Sequence, residues 1–430
     1  MKLMSHPVQW LATLLFAVAI FHTFATGKIL EKAHASAVGS TRANLFHILG
    51  EVEIVFGLWA AVFVTLFALI DGPDHAIAYV QGVDFTEAAF VFVIMAVAAT
   101  RPIRALALRG IELAARAIVR AIPKISVHQA FYFVTLVLGP LLGSLLTEPA
   151  AMTVCALILK ERFFSHSTSE RFRYKTLALL FVNVSIGGVL THFAAPPVVM
   201  VAHVWNWDTP FMFTHFGYKA AIAVILNAAL TLYFLRADFA KFETAEIPER
   251  KHSRIPVWVT VVNIVFLFLV VSCAHYIAVF LGLFMLFVGV TTVTAHYQDP
   301  LKLRESMLVG FFLAGLVVLG KPQSWWLAPF LTSLSQVPLY FGATALTAIT
   351  DNAALTFLGA QVPNLAPQMK YALVAGAVTG GGLSVIANAP NPAGYGLLKS
   401  HFGPDGIQPG RLFKAALVPT AIAALCLELL

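Results

Sequence analysis

Two short segments far apart in the chain hold the residues best suited to chemistry. Thr147-Glu148-Pro149-Ala150-Ala151-Met152-Thr153 recurs as Thr350-Asp351-Asn352-Ala353-Ala354-Leu355-Thr356, so each copy sets one carboxylate among threonines in apolar surroundings. A carboxylate in low dielectric resists ionisation unless a cation lies close by, so proton and cation compete for it. That competition is the minimum machinery of an exchanger: the cation expels the proton, the proton expels the cation, and the empty charged form is too costly to carry through a bilayer. Glu148 and Asp351 are therefore the expected proton and cation sites. Hard monovalent cations also need neutral oxygens around the single negative charge. Candidates for these are Thr147, Thr350, Asn352, Asn183, Ser384, Asn388 and Asn391; for each, capping a broken helix end is an equal alternative. His192 is either a proton relay or a hydrogen-bonded wall residue. Glu51 and Glu53, at the start of an apolar run, read as interfacial.

Such residues need irregular backbone to present them. Gly187-Gly188 running to Ala195-Pro196-Pro197 matches Gly381-Gly382 running to Ala389-Pro390-Asn391, in each case a helix breaker inside a hydrophobic stretch. Unpaired amides and carbonyls cost several kcal/mol each in lipid, so breaks at membrane depth imply a shared polar cavity. Freed carbonyls at helix ends attract cations and freed amides at helix starts attract anions. Broken helices duplicated in two matching halves are the pattern of a secondary transporter working by alternating access.

The composition agrees. Of the 430 residues 59% are hydrophobic and only 11% charged, too apolar for a wettable surface. The expected fold class is an all-α polytopic membrane protein with an inverted-topology repeat, each half holding about five spans, one re-entrant hairpin and one interrupted helix. The net charge of +7 reads as membrane topology, because the basic residues collect in short segments between spans and no soluble domain is present to carry a nucleic-acid face. Cys155, Cys273 and Cys426 lie in apolar stretches without metal-binding spacing, so they read as packing residues and no cofactor is expected. The run Val8–Thr26 is long for a cleaved leader and favours a retained first span.

Lys/Arg content orients the rest. Spans at 8–27, 47–70 and 86–100 lead to the basic segment 101–124, expected as an interfacial cytoplasmic helix. The stretch 127–159 has basic residues on both flanks and Gly139, Pro140, Gly143 and Pro149 inside, so a re-entrant hairpin turning near Glu148 fits better than a crossing. A broken helix at 176–204 and a span at 211–235 complete a first repeat, 1–240. A cytoplasmic linker, 241–255, leads to the second repeat, 256–430, with spans at 256–274, 277–295 and 306–320, a hairpin at 324–361, a broken helix at 370–398 and a last span at 412–430. Both termini are expected outside.

The paired TEPAA and TDNAA segments, the stretch GGLSVIANAPNPAG at 381–394 and the overall length resemble the bacterial family called "putative Na+/H+ antiporter". That family is similar to a wider ion-transporter superfamily whose other members carry dicarboxylates, citrate and arsenite. The resemblance covers the whole chain. It implies the inverted-repeat scaffold, a homodimer, a multi-pass place in the bacterial inner membrane, and Na+ and H+ as transported ions. Dicarboxylate carriers of the superfamily have Ser-Asn-Thr signatures at their hairpin tips. Acidic tips at Glu148 and Asp351 would repel a carboxylate and suit a cation. The nearest alternative is a sodium- or proton-coupled carrier of a small organic or inorganic anion, bound at helix N-termini. An enzyme is not expected: an intramembrane protease using the two carboxylates as a dyad would show GxGD around Asp351, and neither that nor HExxH occurs.

Overall fold

Prolines and side-chain caps decide where the helices of this chain begin. In the computed structural model, which describes residues 4–37, 39–164, 168–239, 242, 255–403 and 406–430, all regular structure is helical. The first half contains α1 (His6–His34), α2 (Thr41–Gly50), α3 (Val52–Asp71), α4 (Pro73–Gln81), α5 (Thr86–Ala98), α6 (Arg101–Ala121), α7 (Val127–Leu146), α8 (Glu148–Leu159), α9 (Glu170–Gly187), α10 (Pro196–Trp205) and α11 (Thr209–Phe234). The second contains α12 (Val257–Ser272), α13 (Ile277–Val293), α14 (Leu303–Gly320), α15 (Ser324–Thr332), α16 (Gln336–Thr347), α17 (Asn352–Ala360), α18 (Pro367–Gly380), α19 (Asn391–Leu398) and α20 (Pro409–Leu429). Pro73, Pro102, Pro149, Pro196, Pro367 and Pro409 each stand in a first turn, where a missing amide forfeits no hydrogen bond. Ser126 closes a capping box with Gln129 before α7, and Ser169 accepts from the Phe172 amide before α9.

The chain is an all-α polytopic membrane protein. Among the described residues six helices are long and apolar enough to cross a bilayer: α1, α3, α7, α11, α14 running on into α15, and α20. Counted as one broken span, the pair α4 and α5, bent by 56° between them, makes a seventh. Three details differ from the sequence expectation. The span expected at 47–70 divides at Glu51, whose extended backbone ends α2 and starts α3. The spans expected at 256–274 and 277–295 form helices of only 16 and 17 residues. The segment 324–361 is three helices, so α16 and α17 alone flank its tip. The expected linker 241–255 lies outside the described residues apart from Phe242 and Ile255.

Contacts between loops sort into two ends. At one, Arg304 pairs with Glu51 at 2.5 Å, Arg104 with Asp299, Arg411 with Glu170, and Ser169 with Asp238 at 2.7 Å. At the other, Ser5 binds Asp71 through its amide and hydroxyl, Lys321 reaches the Gly82 carbonyl at 2.5 Å, and Tyr218 reaches that of Leu430 at 2.9 Å. The basic segment 101–124 belongs to the first end. There α6 keeps Ile103, Ala107, Ile111 and Ala115 buried and Arg109, Arg116 and Arg120 exposed, the two-faced pattern of a helix lying along an interface.

Small residues let the central helices approach. A Cβ on Gly315 of α14 would fall on the backbone of Gly57 in α3, so only glycine permits that crossing. The second segments of the broken helices cross over between the halves: α10 packs on α17, and α19 on α8. That crossing brings the two acidic motifs into one neighbourhood.

Candidate functional site

Each acidic motif begins a helix that starts deep in the protein. α7 and α8 form a tight hairpin with Thr147 at its tip, and α16 and α17 flank the tip at Thr350 and Asp351. Both tips dock on a break in the same way. The Glu148 amide donates to the Ala194 carbonyl at 3.4 Å, and the Asn352 amide to that of Ala387 at 3.1 Å. A second matched pair holds the legs, Tyr132 to Thr176 at 2.9 Å and Tyr340 to Thr379 at 2.8 Å.

The matching bonds reveal a slip of one residue. Aligned by sequence, Glu148 faces Asp351; by hydrogen bonding, Glu148 corresponds to Asn352. Glu148 is the first residue of α8, whereas Asp351 stands just before α17 and caps it, its Oδ1 accepting from the Ala353 and Ala354 amides at 2.9 and 3.1 Å. The two carboxylates therefore stand in different local settings, one capping its helix and one inside its own. Thr147, the residue before Glu148, has φ +76° and ψ 149°, a region nearly reserved for glycine. Strain of about 1–3 kcal/mol is stored at that tip.

Glu148 is fully buried. Its Oε2 accepts from the Asn388 amide at 2.8 Å, and its Oε1 has no partner. Buried and unpartnered in the surrounding network are also Thr147 Oγ1, Asn388 Oδ1, Ser384 Oγ, Asn391 Oδ1 and both polar atoms of Asn352. Asn391 spans the second break, its amide donating to the Gly381 and Ser384 carbonyls at 2.8 Å each. Leaving a buried polar atom unsatisfied costs about 1–3 kcal/mol, and the oxygens of this collection, though not the Asn352 Nδ2 donor, could be answered by a donor or a cation.

Two glycines let the tips seat. A Cβ on Gly188 would stand 2.5 Å from Glu148 Cγ and Oε1, and one on Gly381 would stand 2.9 Å from Asn352 Nδ2 while striking the Ser185 hydroxyl. Gly188→Ala is accordingly expected to push Glu148 off Asn388 and to destabilise the fold by about 1–3 kcal/mol, as overpacking of a core does. Thermal melting of the purified variant in detergent checks this; an unchanged melt means that the tip is not seated on Gly188.

The first break is stapled by a residue not singled out from the sequence. Ser144, on α7, donates to the Gly187 carbonyl at 2.7 Å and accepts from the Leu190 amide at 2.9 Å. Its counterpart one leg later, Thr347, is buried with an unpartnered hydroxyl. A hydroxyl residue one turn before each motif, Ser144 and Thr347, was the available signal, but only the docked break shows what Ser144 holds.

The remaining predicted site residues separate. Thr350, just past the end of α16, donates back to the Leu346 carbonyl of that helix at 2.9 Å. Asn183 lies apart from this network, its amide bound to the Leu136 and Val224 carbonyls and its oxygen to Asn227, so it ties α7, α9 and α11 together. His192 lies two residues from Ala194, whose carbonyl meets the Glu148 amide, but its own side-chain hydrogen bond goes elsewhere. It bonds the Thr209 hydroxyl at 2.8 Å and lines a small pocket with Glu87, His203 and His275. Glu53, expected at the interface, instead turns inward: it lines one small cavity together with Asp351 and Asn388. Nothing in the local sequence distinguishes it from Glu51, which pairs with Arg304.

That small cavity adjoins two larger ones. A polar one of about 490 Å³ is lined by Glu53, Thr147, Thr153, Arg104, Arg304 and Pro390, and lies at the end that carries the basic segment. An apolar one of about 410 Å³ reaches Asp351 from the other side. Among the described residues no group of three or more His, Cys, Asp or Glu side chains is arranged to hold a metal ion.

No curated protein matches the chain in sequence. Among solved structures it is similar to the crystal structure of the Alcanivorax borkumensis YdaH transporter, described as having an unusual topology, at 13% identity and a TM-score of 0.48, covering 87% of this chain and 96% of that one. The model of the family described as "Putative Na+/H+ antiporter" matches residues 7–430. Nearly the whole chain falls within that match, and the protein belongs to this antiporter family.

Proposed function

We propose that this protein exchanges Na+ for protons by alternating access, with Glu148 and Asp351 as the groups for which proton and cation compete. The observation that carries the reading is a set of buried, unpartnered oxygens at the two tips and the second break: Glu148 Oε1, Thr147 Oγ1, Asn388 Oδ1, Asn352 Oδ1 and Asn391 Oδ1. A dehydrated monovalent cation answers that set with one negative charge and several neutral oxygens, and a proton on Glu148 answers it in part. Asp351 reads as the second acidic group, placed on the cavity shared with Asn388 and Glu53.

The matched docking bonds and crossed broken helices support two repeats of inverted orientation, each with a re-entrant hairpin, that rock against the remaining helices. By the distribution of Lys and Arg the basic end is cytoplasmic and both termini are outside. The polar cavity lies at that end, which corresponds to an inward-facing state. A homodimer in the inner membrane completes the reading. Carriage of a small anion fits less well, because Arg304 and Arg104 at the cavity mouth are already paired with Glu51 and Asp299.

The test uses proteoliposomes with a trapped pH dye and an imposed proton gradient. Addition of Na+ is expected to collapse the gradient, with Li+, K+ and Ca2+ run in parallel to set selectivity. Labelled dicarboxylate uptake is measured beside it. Accumulation of dicarboxylate with no ion-driven proton movement would replace the exchanger by the anion carrier.

A further inference from the structure

The apolar chamber of about 410 Å³ has no evident use in moving a small hydrated ion. It lies between α1, α3 and the helices α14 to α17, with aromatic walls from Phe16, Phe24, Phe56, Phe312, Trp326 and Phe330. Asp351 is the one ionisable side chain among its lining residues. The other polar groups of the wall are already occupied: Thr23 donates to the Ala19 carbonyl at 3.0 Å, Thr350 to that of Leu346 at 2.9 Å, and the Trp326 indole to Gln323 at 2.9 Å. What remains is an aromatic-walled pocket, partly open at Phe24, Phe330 and Ile349, with one carboxylate on its wall.

Those properties select a ligand class. A sugar or an anion finds no free donor, and a small inorganic cation would shed its water against hydrocarbon. A lipid acyl chain suits the walls but leaves the carboxylate unanswered. A protonated amine on an apolar body satisfies both, pairing with Asp351 while the aromatic faces and buried area hold the remainder. The volume lies at the lower end of the range for drug-sized ligands, enough for a body of one or two rings.

We propose that this chamber is a binding site for lipophilic monovalent amines, anchored by an ammonium–carboxylate pair with Asp351. The small cavity that joins Asp351 to Glu53 and Asn388 also shares Val52 and Phe312 with the chamber. An amine seated there competes with whatever proton or cation reaches Asp351 from the polar side. The site shares Asp351 with the exchange reading but does not depend on it, because binding is measured without transport.

The experiment is equilibrium binding of 2-(1-naphthyl)ethylamine to the purified full-length protein in nanodiscs, with 2-(1-naphthyl)ethanol as the neutral counterpart. The amine is expected to bind at least about tenfold more tightly than the alcohol, and to lose that advantage in Asp351→Asn, a difference of about 1.4 kcal/mol. A second variant, Gly342→Phe, occupies the chamber from α16, where a Cβ meets nothing within 4 Å. It is expected to weaken the amine by a similar factor while leaving Asp351 in place. Equal binding of amine and alcohol would make the chamber a pocket for lipid chains and overturn the proposal. So would amine affinity unchanged in both variants.

Discussion

Glu148→Gln is expected to abolish sodium-driven proton movement while leaving the protein folded. Glutamine keeps the length of the side chain and an oxygen that can accept from the Asn388 amide, which now binds Glu148 Oε2 at 2.8 Å. It removes the negative charge. Breaking a buried charge pair by deleting one partner costs about 3–5 kcal/mol. At about 1.4 kcal/mol per factor of ten, that is a hundredfold or more in cation affinity. The same substitution takes an unpaired buried carboxylate out of the empty site, so the melting temperature of the apo protein should hold or rise. The comparison requires ion-driven dye response in proteoliposomes and thermal melts with and without Na+. Wild-type exchange in Glu148→Gln would remove this residue from the mechanism, whatever the melts show.

Asp351 allows a sharper separation, because it does two things at once. Its Oδ1 caps α17 through the Ala353 and Ala354 amides, and it supplies the charge at the cavity shared with Asn388 and Glu53. Asparagine caps helices about as well as aspartate, whereas alanine forfeits about 1 kcal/mol. Asp351→Asn is therefore expected to melt like the wild type and to lose exchange, and Asp351→Ala to lose exchange and melt lower. Read together, the pair of melts isolates the cap and the pair of transport assays isolates the charge. If Asp351→Asn transports normally, Asp351 is a cap only and Glu148 is the sole proton site. If both variants melt alike, the cap contributes nothing.

The duplicated motifs were legible because a carboxylate amid apolar residues is costly in a membrane wherever it lies, and its repetition with matching Gly and Pro breakers shows in the residue order. The hairpin of α7 and α8 follows from Pro149 and from basic residues on both flanks. The breaks after Gly187 and Gly380 follow from their glycines and from the prolines beyond them. Register was less accessible. Pairing Glu148 with Asp351 is the best match of letters, yet the docking amides belong to Glu148 and Asn352, since one helix starts at its acid and the other just after it.

Composition, breaker spacing and Lys/Arg clustering thus determined by themselves that the chain is a helical membrane protein with two acidic break points, because each acts through local backbone preference or through the cost of burying a polar group. Which of the polar residues meet was decided only by the tertiary structure. Asn183 and Asn388 are indistinguishable as letters, but helix crossing puts one between α7, α9 and α11 and the other on Glu148. Glu53 reaches the small cavity beside Asp351 and Asn388 while Glu51 pairs with Arg304, although two residues separate them, because the start of α3 presents successive side chains to different neighbours and only the packed α14 and α17 say which neighbour is which.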